Sequence, residues 1–236
     1  MRRACMSCAI KELCWPMGLD PAYLERVQPM IRRVGPLPAG SYLFRTGDPF
    51  TAMYAVRSGC IKSYSIDAGG HEYVHGFHLG DEILGFDAVY PDRHRSNALI
   101  LESSSLCFIP YRDIARLNAE FEGVHDQVLR LMSREFCRQL MFAEGAGATQ
   151  RVAHFLLDMR ARLHQAGTVE HEFTLPMSRE DISNYLRITP ETLSRLMAKL
   201  QRKGLIDVDR RHVFLSDPLR LDLIDQGIAV GSGRGK

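Results

Sequence analysis

Three cysteines lie within the first fifteen residues of the chain, and a fourth lies far along it. Cys5, Cys8 and Cys14 have the spacing C-x2-C-x5-C, whereas Cys107 stands alone in a β-rich segment. Ordinary packing does not require three thiols so close in sequence, but a metal or iron–sulfur centre needs several thiolates that converge on one point. A centre that uses all four would tie the amino-terminal arm to the segment around Cys107.

The spacing of these cysteines distinguishes between possible metals. Structural zinc sites favour paired C-x2–4-C knuckles, and only Cys5 and Cys8 form such a pair here. The pattern therefore favours an iron–sulfur cluster, with zinc and a metal-free chain as alternatives. The other two cysteines, Cys60 and Cys137, have no cluster-like neighbours and are interpreted as buried or incidental thiols.

Composition indicates a globular chain with a local, rather than global, positive surface. The 236 residues are 45% hydrophobic and 25% charged, and the net charge is only +2. No apolar run approaches the roughly 18 residues that span a bilayer. Lys11 and Glu12 interrupt the amino-terminal pattern, which argues against a signal peptide. We therefore expect a cytoplasmic protein with reduced thiols and no membrane partner.

Between residues 35 and 111 short β-rich runs alternate with glycine-containing turns. The runs cover residues 41–44, 52–56, 60–66, 72–77 and 105–109. Regular short strands with glycine punctuation are typical of an antiparallel barrel or jelly roll. Just before them, an apolar stripe of Leu24, Val27 and Ile31 predicts a short helix over residues 21–34.

A long helix is predicted next, over roughly residues 122–144. One apolar stripe alternates steps of three and four, as in the a/d seam of a coiled coil, and a second could pack on the roll. One amphipathic helix buried in its own core is the alternative, but two stripes favour a homodimer. A glycine-rich break at residues 145–148 is the expected hinge. The predicted dimer interface is Leu129, Met132, Phe136, Gln139 and Ala143.

Residues 178–204 carry the signals of two short helices joined by a turn. Ser178 followed by Asp181 resembles a capping box, and Thr189 before Pro190 is a second helix start. Gly204 stands where a helix-ending glycine belongs. These signals predict a helix-turn-helix, and two short strands over residues 205–215 would add a wing.

The outward face of the second helix has the chemistry of a DNA reader. Arg195 can bind guanine O6 and N7 bidentately, Glu191 can accept from a cytosine amine, and Ser194 can adapt to either. Basic side chains further along the helix suit phosphates. The alternative is a solvated amphipathic helix with ordinary surface charges. The predicted DNA-binding set is Thr189, Glu191, Ser194, Arg195, Lys199, Arg202 and Lys203.

These parts together resemble the CRP–FNR superfamily of bacterial regulators over nearly the whole chain. The resemblance implies an α+β fold with an antiparallel β-roll like those that bind cyclic nucleotides, a long dimerisation helix and a winged helix-turn-helix. Three segments resemble the FNR branch, the fumarate and nitrate reduction regulators. They are the cysteine arm, Ser105-Leu-Cys-Phe-Ile-Pro110 and Glu191-Thr-Leu-Ser-Arg195. The predicted domains are residues 1–18 (cysteine arm), 19–118 (roll), 119–145 (dimerisation helix), 149–225 (DNA-binding domain) and 226–236 (disordered tail).

The resemblance also implies a mechanism. In the FNR branch the four matching cysteines, Cys5, Cys8, Cys14 and Cys107 here, ligate an oxygen-labile [4Fe–4S] cluster. The dimer with an intact cluster binds a palindromic TTGAT-type site and controls genes of anaerobic metabolism. Double-stranded DNA, a second copy of the chain and RNA polymerase are the implied partners. Gln139 replaces the acidic residue usual on the seam, which predicts readier dimerisation without the cluster.

Two other classes of function fit the sequence less well. A regulator gated by a cyclic nucleotide is suggested by Gly80-Asp-Glu82 and Arg95-Ser96, although Asp92 and Asn97 match that pattern poorly. An enzyme is not expected, because no convergent set of histidine and carboxylate ligands and no nucleophile–base arrangement stands out.

Overall fold

Two four-stranded antiparallel sheets form the described part of the amino-terminal half. The first has the strand order β1-β8-β3-β6 and the second the order β2-β7-β4-β5. Hydrogen-bonded neighbours are thus often far apart in sequence, as a rolled pair of sheets requires. The strands are β1 (Arg32–Leu37), β2 (Tyr42–Phe44), β3 (Ala52–Ser58), β4 (Ile61–Ile66), β5 (Glu72–His78), β6 (Ile83–Leu84), β7 (Asn97–Ile100) and β8 (Ser104–Pro110).

The computed structural model describes residues 31–113, 124–140, 145–163 and 171–228. The chain divides into two compact units, Met1–Cys137 and Arg138–Lys236. Several predicted features lie outside the described residues: the cysteine arm with Cys5, Cys8 and Cys14, the seam residue Ala143 and the tail from residue 229. The side chain of Gln139 is likewise not described.

The core of the roll lies between the two sheets. Because side chains alternate along a strand, every second residue of β3, β4, β7 and β8 points inward. Full burial of one such aliphatic side chain contributes about 1.5–3 kcal/mol, so this cluster dominates the stability of the roll. Its buried members are Phe44, Ala52, Tyr54, Val56, Ile61, Leu84, Ala98, Ile100 and Leu106.

The prediction of a helix over residues 21–34 is wrong at its carboxyl end. Arg32 and Val34 belong to β1 and pair with Phe108 and Leu106 on β8. Residues 21–30 lie outside the described part of the chain. The apolar spacing that suggested a helix is overridden here by pairing with β8, a partner distant in sequence. The five predicted strands are confirmed, whereas β1, β6 and β7 were not predicted.

The second unit is a helical domain with a small sheet. Its elements are α2 (Ala148–Leu163), β9 (Glu172–Thr174), α3 (Arg179–Tyr185), α4 (Pro190–Arg202), β10 (Asp207–Asp209), β11 (His212–Phe214) and α5 (Pro218–Asp225). The helix α1 (Val124–Leu140) precedes them and crosses the boundary between the units. The sheet has the order β10-β11-β9, which adds β9 to the two predicted wing strands.

Apolar faces of three helices hold this domain together. Val152, Phe155 and Leu156 of α2 are buried, as are Leu193 and Leu200 of α4. A polar contact adds to this packing, since His154 Nδ1 of α2 lies 3.1 Å from Asp225 Oδ2 at the end of α5. Among the helices that the structure describes, none is long and apolar enough to cross a membrane.

Candidate functional site

The first helix of the helix-turn-helix, α3, begins with a complete capping box. The backbone N–H of Asp181 donates to Ser178 Oγ at 3.0 Å, and the backbone N–H of Ser178 donates to Asp181 Oδ2 at 3.2 Å. Two N–H groups at the start of the helix are thereby satisfied by side chains. The predicted helix start is confirmed.

The turn between α3 and α4 is closed by backbone contacts. The N–H of Ile188 donates to the carbonyl of Ser183 at 3.0 Å, and Arg187 has a left-handed φ of 55°. Thr189 then caps α4, because its Oγ1 accepts from the N–H of Thr192 at 3.2 Å. Pro190 follows at the first helical position, which needs no N–H donor.

The helix α4 has one buried and one exposed face. Its buried apolar residues are Leu193, Leu196, Met197 and Leu200. The face opposite them is exposed, and it presents one carboxylate, one hydroxyl and several cations to solvent. Lys203 departs from the prediction, since it is half-buried at the edge of this face. The predicted residues that are exposed are Thr189, Glu191, Ser194, Arg195, Lys199 and Arg202.

Charged side chains on the exposed face of α4 are available to an external partner. The pKa of the Glu191 carboxyl is lowered, chiefly by a hydrogen bond from its own backbone N–H, so Glu191 is an ionised acceptor at neutral pH. Arg195 makes no ion pair with any other described residue. Five N–H donors in a planar fork are thus available to an external acceptor pair such as that of guanine.

The wing is fixed to α3. The Nη2 of Arg179 donates to the carbonyl of Arg210 at 3.0 Å, and Arg210 adopts a left-handed φ of 54° at the tip of the β10–β11 hairpin. The contact links the first helix of the helix-turn-helix to the hairpin that flanks it. Arg210 and Arg211 are exposed at the tip.

Cys107 lies on the outer face of the first sheet of the roll. It pairs with Ala55 of β3 and with Arg33 of β1, whereas its neighbours Leu106 and Phe108 point to the core between the sheets. A second, small apolar cluster surrounds it, separate from the main core. Its members are Ala55 and Cys107, packed against Ile31, Ile83 and Ile109. Arg33 was not predicted as a site residue, because only the strand pairing places it opposite Cys107.

Cys107 is the one predicted cluster ligand that lies within the described residues. No group of three or more His, Cys, Asp or Glu side chains there could hold a metal ion. The other three predicted ligands, Cys5, Cys8 and Cys14, lie outside the described residues. Cys60 is buried and Cys137 is exposed, so only the former fits a packing thiol.

The helix α1 carries an exposed apolar stripe on one side. Leu129 is 50% exposed, Met132 39% and Phe136 63%. Leu131, on another side of the helix, is only 7% exposed. The three exposed side chains belong to the predicted dimer seam, and Leu131 belongs to the second predicted stripe. Contiguous exposed apolar surface of this kind marks interaction sites.

Two family models match the two units of the chain separately. The Crp-like helix-turn-helix domain matches residues 150–224, and the cyclic nucleotide-binding domain matches residues 35–120. Together with the capped helix pair and the flanking hairpin, these matches define a DNA-binding transcription regulator with an amino-terminal β-roll.

Relatives along the whole chain narrow the class. Electron transport regulator A of Shewanella oneidensis is 35% identical over 223 residues, covering 93% of this chain and 89% of that protein. The fumarate and nitrate reduction regulatory protein of Vibrio cholerae is 37% identical over 212 residues, covering 89% and 85%. The structure of FixK2 from Bradyrhizobium japonicum superimposes with a TM-score of 0.73 at 25% identity, covering 85% of this chain and 98% of that one.

The chain therefore belongs to the CRP–FNR family of transcription regulators. Regulators of this family bind DNA and typically act as dimers, and they are not enzymes. The predicted fold class is confirmed: an antiparallel roll, a long helix and a carboxyl-terminal helix-turn-helix.

Proposed function

We propose that this chain is a redox-responsive regulator of anaerobic metabolism, which acts in the cytoplasm as a homodimer and holds a [4Fe–4S] cluster through Cys5, Cys8, Cys14 and Cys107. The observation that carries the proposal is the outward position of Cys107, on the sheet face opposite the core. At that position the thiol is buried, with 5% exposure, in the small apolar cluster that it forms with Ala55. Relatives named for fumarate and nitrate reduction support the same function.

The surroundings of Cys107 fit such a cluster. The apolar side chains of Ile83 and Ile109 would limit the access of water, and the guanidinium of Arg33 on the paired strand would offset negative charge on thiolate ligands. When bound, the cluster would supply a redox-active, oxygen-labile centre. Three ligands on the arm and one on β8 would hold the arm against the sheet, and oxidative loss of that link would release it.

Recognition of DNA is assigned to the exposed face of α4. Arg195 would bind a guanine, Glu191 would accept from a cytosine amine, and Ser194 would contact either, within a palindromic TTGAT-type site. Lys199, Arg202 and Lys203 would contact phosphates and set the salt dependence of binding. Thr189 positions the start of this helix through its cap. It would then lie beside the DNA backbone that the basic side chains contact.

Dimerisation is assigned to the exposed stripe of α1. Leu129, Met132 and Phe136 are spaced by three and four residues, so they would meet the same residues of a second chain. Two copies would then present two α4 helices to the halves of a palindrome. RNA polymerase is the expected further partner, through surface loops of the roll.

The proposal is tested by measuring iron and acid-labile sulfide per chain, with a visible spectrum, on protein purified without oxygen and then exposed to air. About four of each, with a colour that bleaches in air, are expected for one cluster held by four cysteines. Protein with a single zinc, or with no metal, would contradict the cluster and leave a regulator of this family whose signal enters elsewhere.

A further inference from the structure

The loop before β7 folds around a carboxylate of the chain itself. One oxygen of Asp87, Oδ2, accepts hydrogen bonds from the N–H of Arg95 at 2.9 Å, the N–H of Ser96 at 3.1 Å and the hydroxyl of Ser96 at 2.9 Å. The other oxygen lies 3.3 Å from Nδ1 of His94. Successive backbone N–H groups that point at one atom form an anion-binding concavity, here reinforced by a hydroxyl.

The walls of this cradle, defined as His94, Arg95 and Ser96, are held in place by the rest of the roll. His94 is 3% exposed and Ser96 6%. The ring of His94 stacks on Phe44 with centroids 3.6 Å apart, and its backbone N–H and carbonyl bond to Asp48 and Gly47. His94, directly before the two N–H donors, is therefore anchored by contacts other than Asp87, and on that basis we expect the cradle to persist if the carboxylate is removed.

Asp87 sits in the cradle as an ion. Burial alone would raise the pKa of its carboxyl, but hydrogen bonds from His94, Ser96 and the Arg95 N–H outweigh burial and lower that pKa. The 3-10 helix Phe86–Ala88, which starts after the left-handed Gly85, brings the carboxylate to the cradle from the opposite side of the loop.

This cradle lies within residues 35–120, which match the cyclic nucleotide-binding domain. A cyclic nucleotide carries a phosphate anion, which needs N–H and hydroxyl donors of the kind that Arg95 and Ser96 supply. In this chain those donors are already bonded to a carboxylate.

We propose that Asp87 is the resident anion of the roll: its carboxylate fills the cradle of Arg95 and Ser96, so that no phosphate-bearing ligand binds there, and its removal converts the cradle into a site for a small free oxyanion. The roll then carries its own anion at this position. A carboxylate that is part of the chain occupies the place that a diffusible nucleotide would need. The side chain of Asp87 is thus committed within its own loop, and a protein partner would have to contact other atoms there.

The test is rescue of Asp87→Ala by free carboxylate. Thermal unfolding of the full chain is followed while formate, acetate or phosphate replaces chloride at constant ionic strength. We expect a lowered Tm for the variant and a saturable rise with formate, which replaces the lost group. At ten times the dissociation constant, mass action shifts the unfolding equilibrium about elevenfold. Wild-type protein should show no such rise.

Asp67→Ala is the matched control. Asp67 also accepts backbone N–H bonds, from Gly69 at 2.8 Å and His71 at 2.9 Å, but it lies on an exposed hairpin turn. Its loss leaves no enclosed cradle, so formate should not rescue that variant. A folded Asp87→Ala protein that is indifferent to all three anions would overturn the proposal, as would saturable heat when wild-type protein is titrated with cyclic AMP.

If Asp87→Ala does not fold in chloride, it is refolded from urea in each anion, with Asp87→Asn as a variant of equal size. Recovery in formate but not in an equal concentration of chloride supports an anion site. Refolding that fails equally in every anion, while Asp87→Asn folds, counts against it.

Discussion

Cys107 and Ala55 lie directly opposite each other across the β3–β8 pair, and both point away from the core of the roll. Directly paired residues share one face of a sheet, and both side chains are buried in the small cluster that Ile31, Ile83 and Ile109 complete. The cysteine is accordingly placed where it can contact a segment outside the two sheets.

Replacing Cys107 with alanine should remove the metal and spare the fold. The outward face loses one sulfur atom, whereas a cluster loses one of its four ligands. We expect iron and sulfide in protein prepared without oxygen to fall from about four of each per chain to a small fraction. Cys60→Ala is the control, since Cys60 is also a buried thiol of the roll. Full iron content in Cys107→Ala would remove Cys107 from the ligand set.

Replacing Arg195 with alanine should cost about 1–3 kcal/mol of binding free energy at one base pair and relax specificity there. The expected cause is the loss of a bidentate contact from an exposed guanidinium on α4. Fluorescence anisotropy with a set of single-base variants of the palindrome measures it. Equal loss on all sequences would instead make Arg195 a phosphate contact.

Lys199→Ala provides the matched comparison on the same helix. Its loss should weaken all sequences alike and reduce the slope of log affinity against log salt by about one. The pair of variants therefore separates base reading from charge neutralisation. An unchanged slope would exclude Lys199 from the interface.

Replacing Thr189 with alanine should destabilise the DNA-binding domain by about 1 kcal/mol, because the N–H of Thr192 loses its acceptor at the start of α4. Urea unfolding of the full chain, followed by far-ultraviolet circular dichroism, measures the change. Thr189→Ser keeps the hydroxyl and should stay within a few tenths of a kcal/mol of wild type. Equal stability of all three proteins would show that the cap contributes nothing.

The helix-turn-helix is predictable because its signals are local in sequence. Elements that depend on pairing between distant segments are not predictable in this way. Ser178 with Asp181, and Thr189 with Pro190, lie within a few residues of each other, so their capping chemistry can be read directly. Strand β1 could not be identified in this way, because Gly35 and Pro36 disfavour a strand and only pairing with β8 makes one.

The cradle around Asp87 was missed for a similar reason. Arg95 and Ser96 match part of a phosphate-binding pattern in the sequence, but the carboxylate eight residues earlier has no periodic relation to them. The intervening turn, with Asp92 at a φ of 56°, brings the three together. A sequence pattern can identify hydrogen-bond donors and acceptors of the right type. Only the fold determines which of them come close enough to bond.

Placing a carboxylate on the exposed stripe of α1 should disrupt the dimer. Phe136→Glu would bury an unpaired charge against the apolar seam of the second chain, which is strongly unfavourable. Sedimentation of protein prepared without oxygen should show a dimer for wild type and a monomer for the variant. Because Phe136 is 63% exposed, the substitution should change the Tm of the monomeric protein little. Arg134→Glu, exposed on another side of α1, should remain dimeric, and a dimeric Phe136→Glu would place the interface elsewhere.

The hydrogen bonds to Asp87 should make the free energy of unfolding of the roll depend on pH in the acid range. Since the folded state lowers the pKa of this carboxyl below its ordinary value of about 3.9, its contribution is complete above that value and is lost as the pH falls through the folded pKa. Urea unfolding of wild type and Asp87→Asn should therefore differ most above about pH 5, and the difference should shrink steadily below about pH 4. Asp92→Asn, in the same loop but exposed, controls for the loss of one charge. A difference between wild type and Asp87→Asn that stays constant down to acid pH would mean that the carboxylate form of Asp87 is not what its neighbours stabilise.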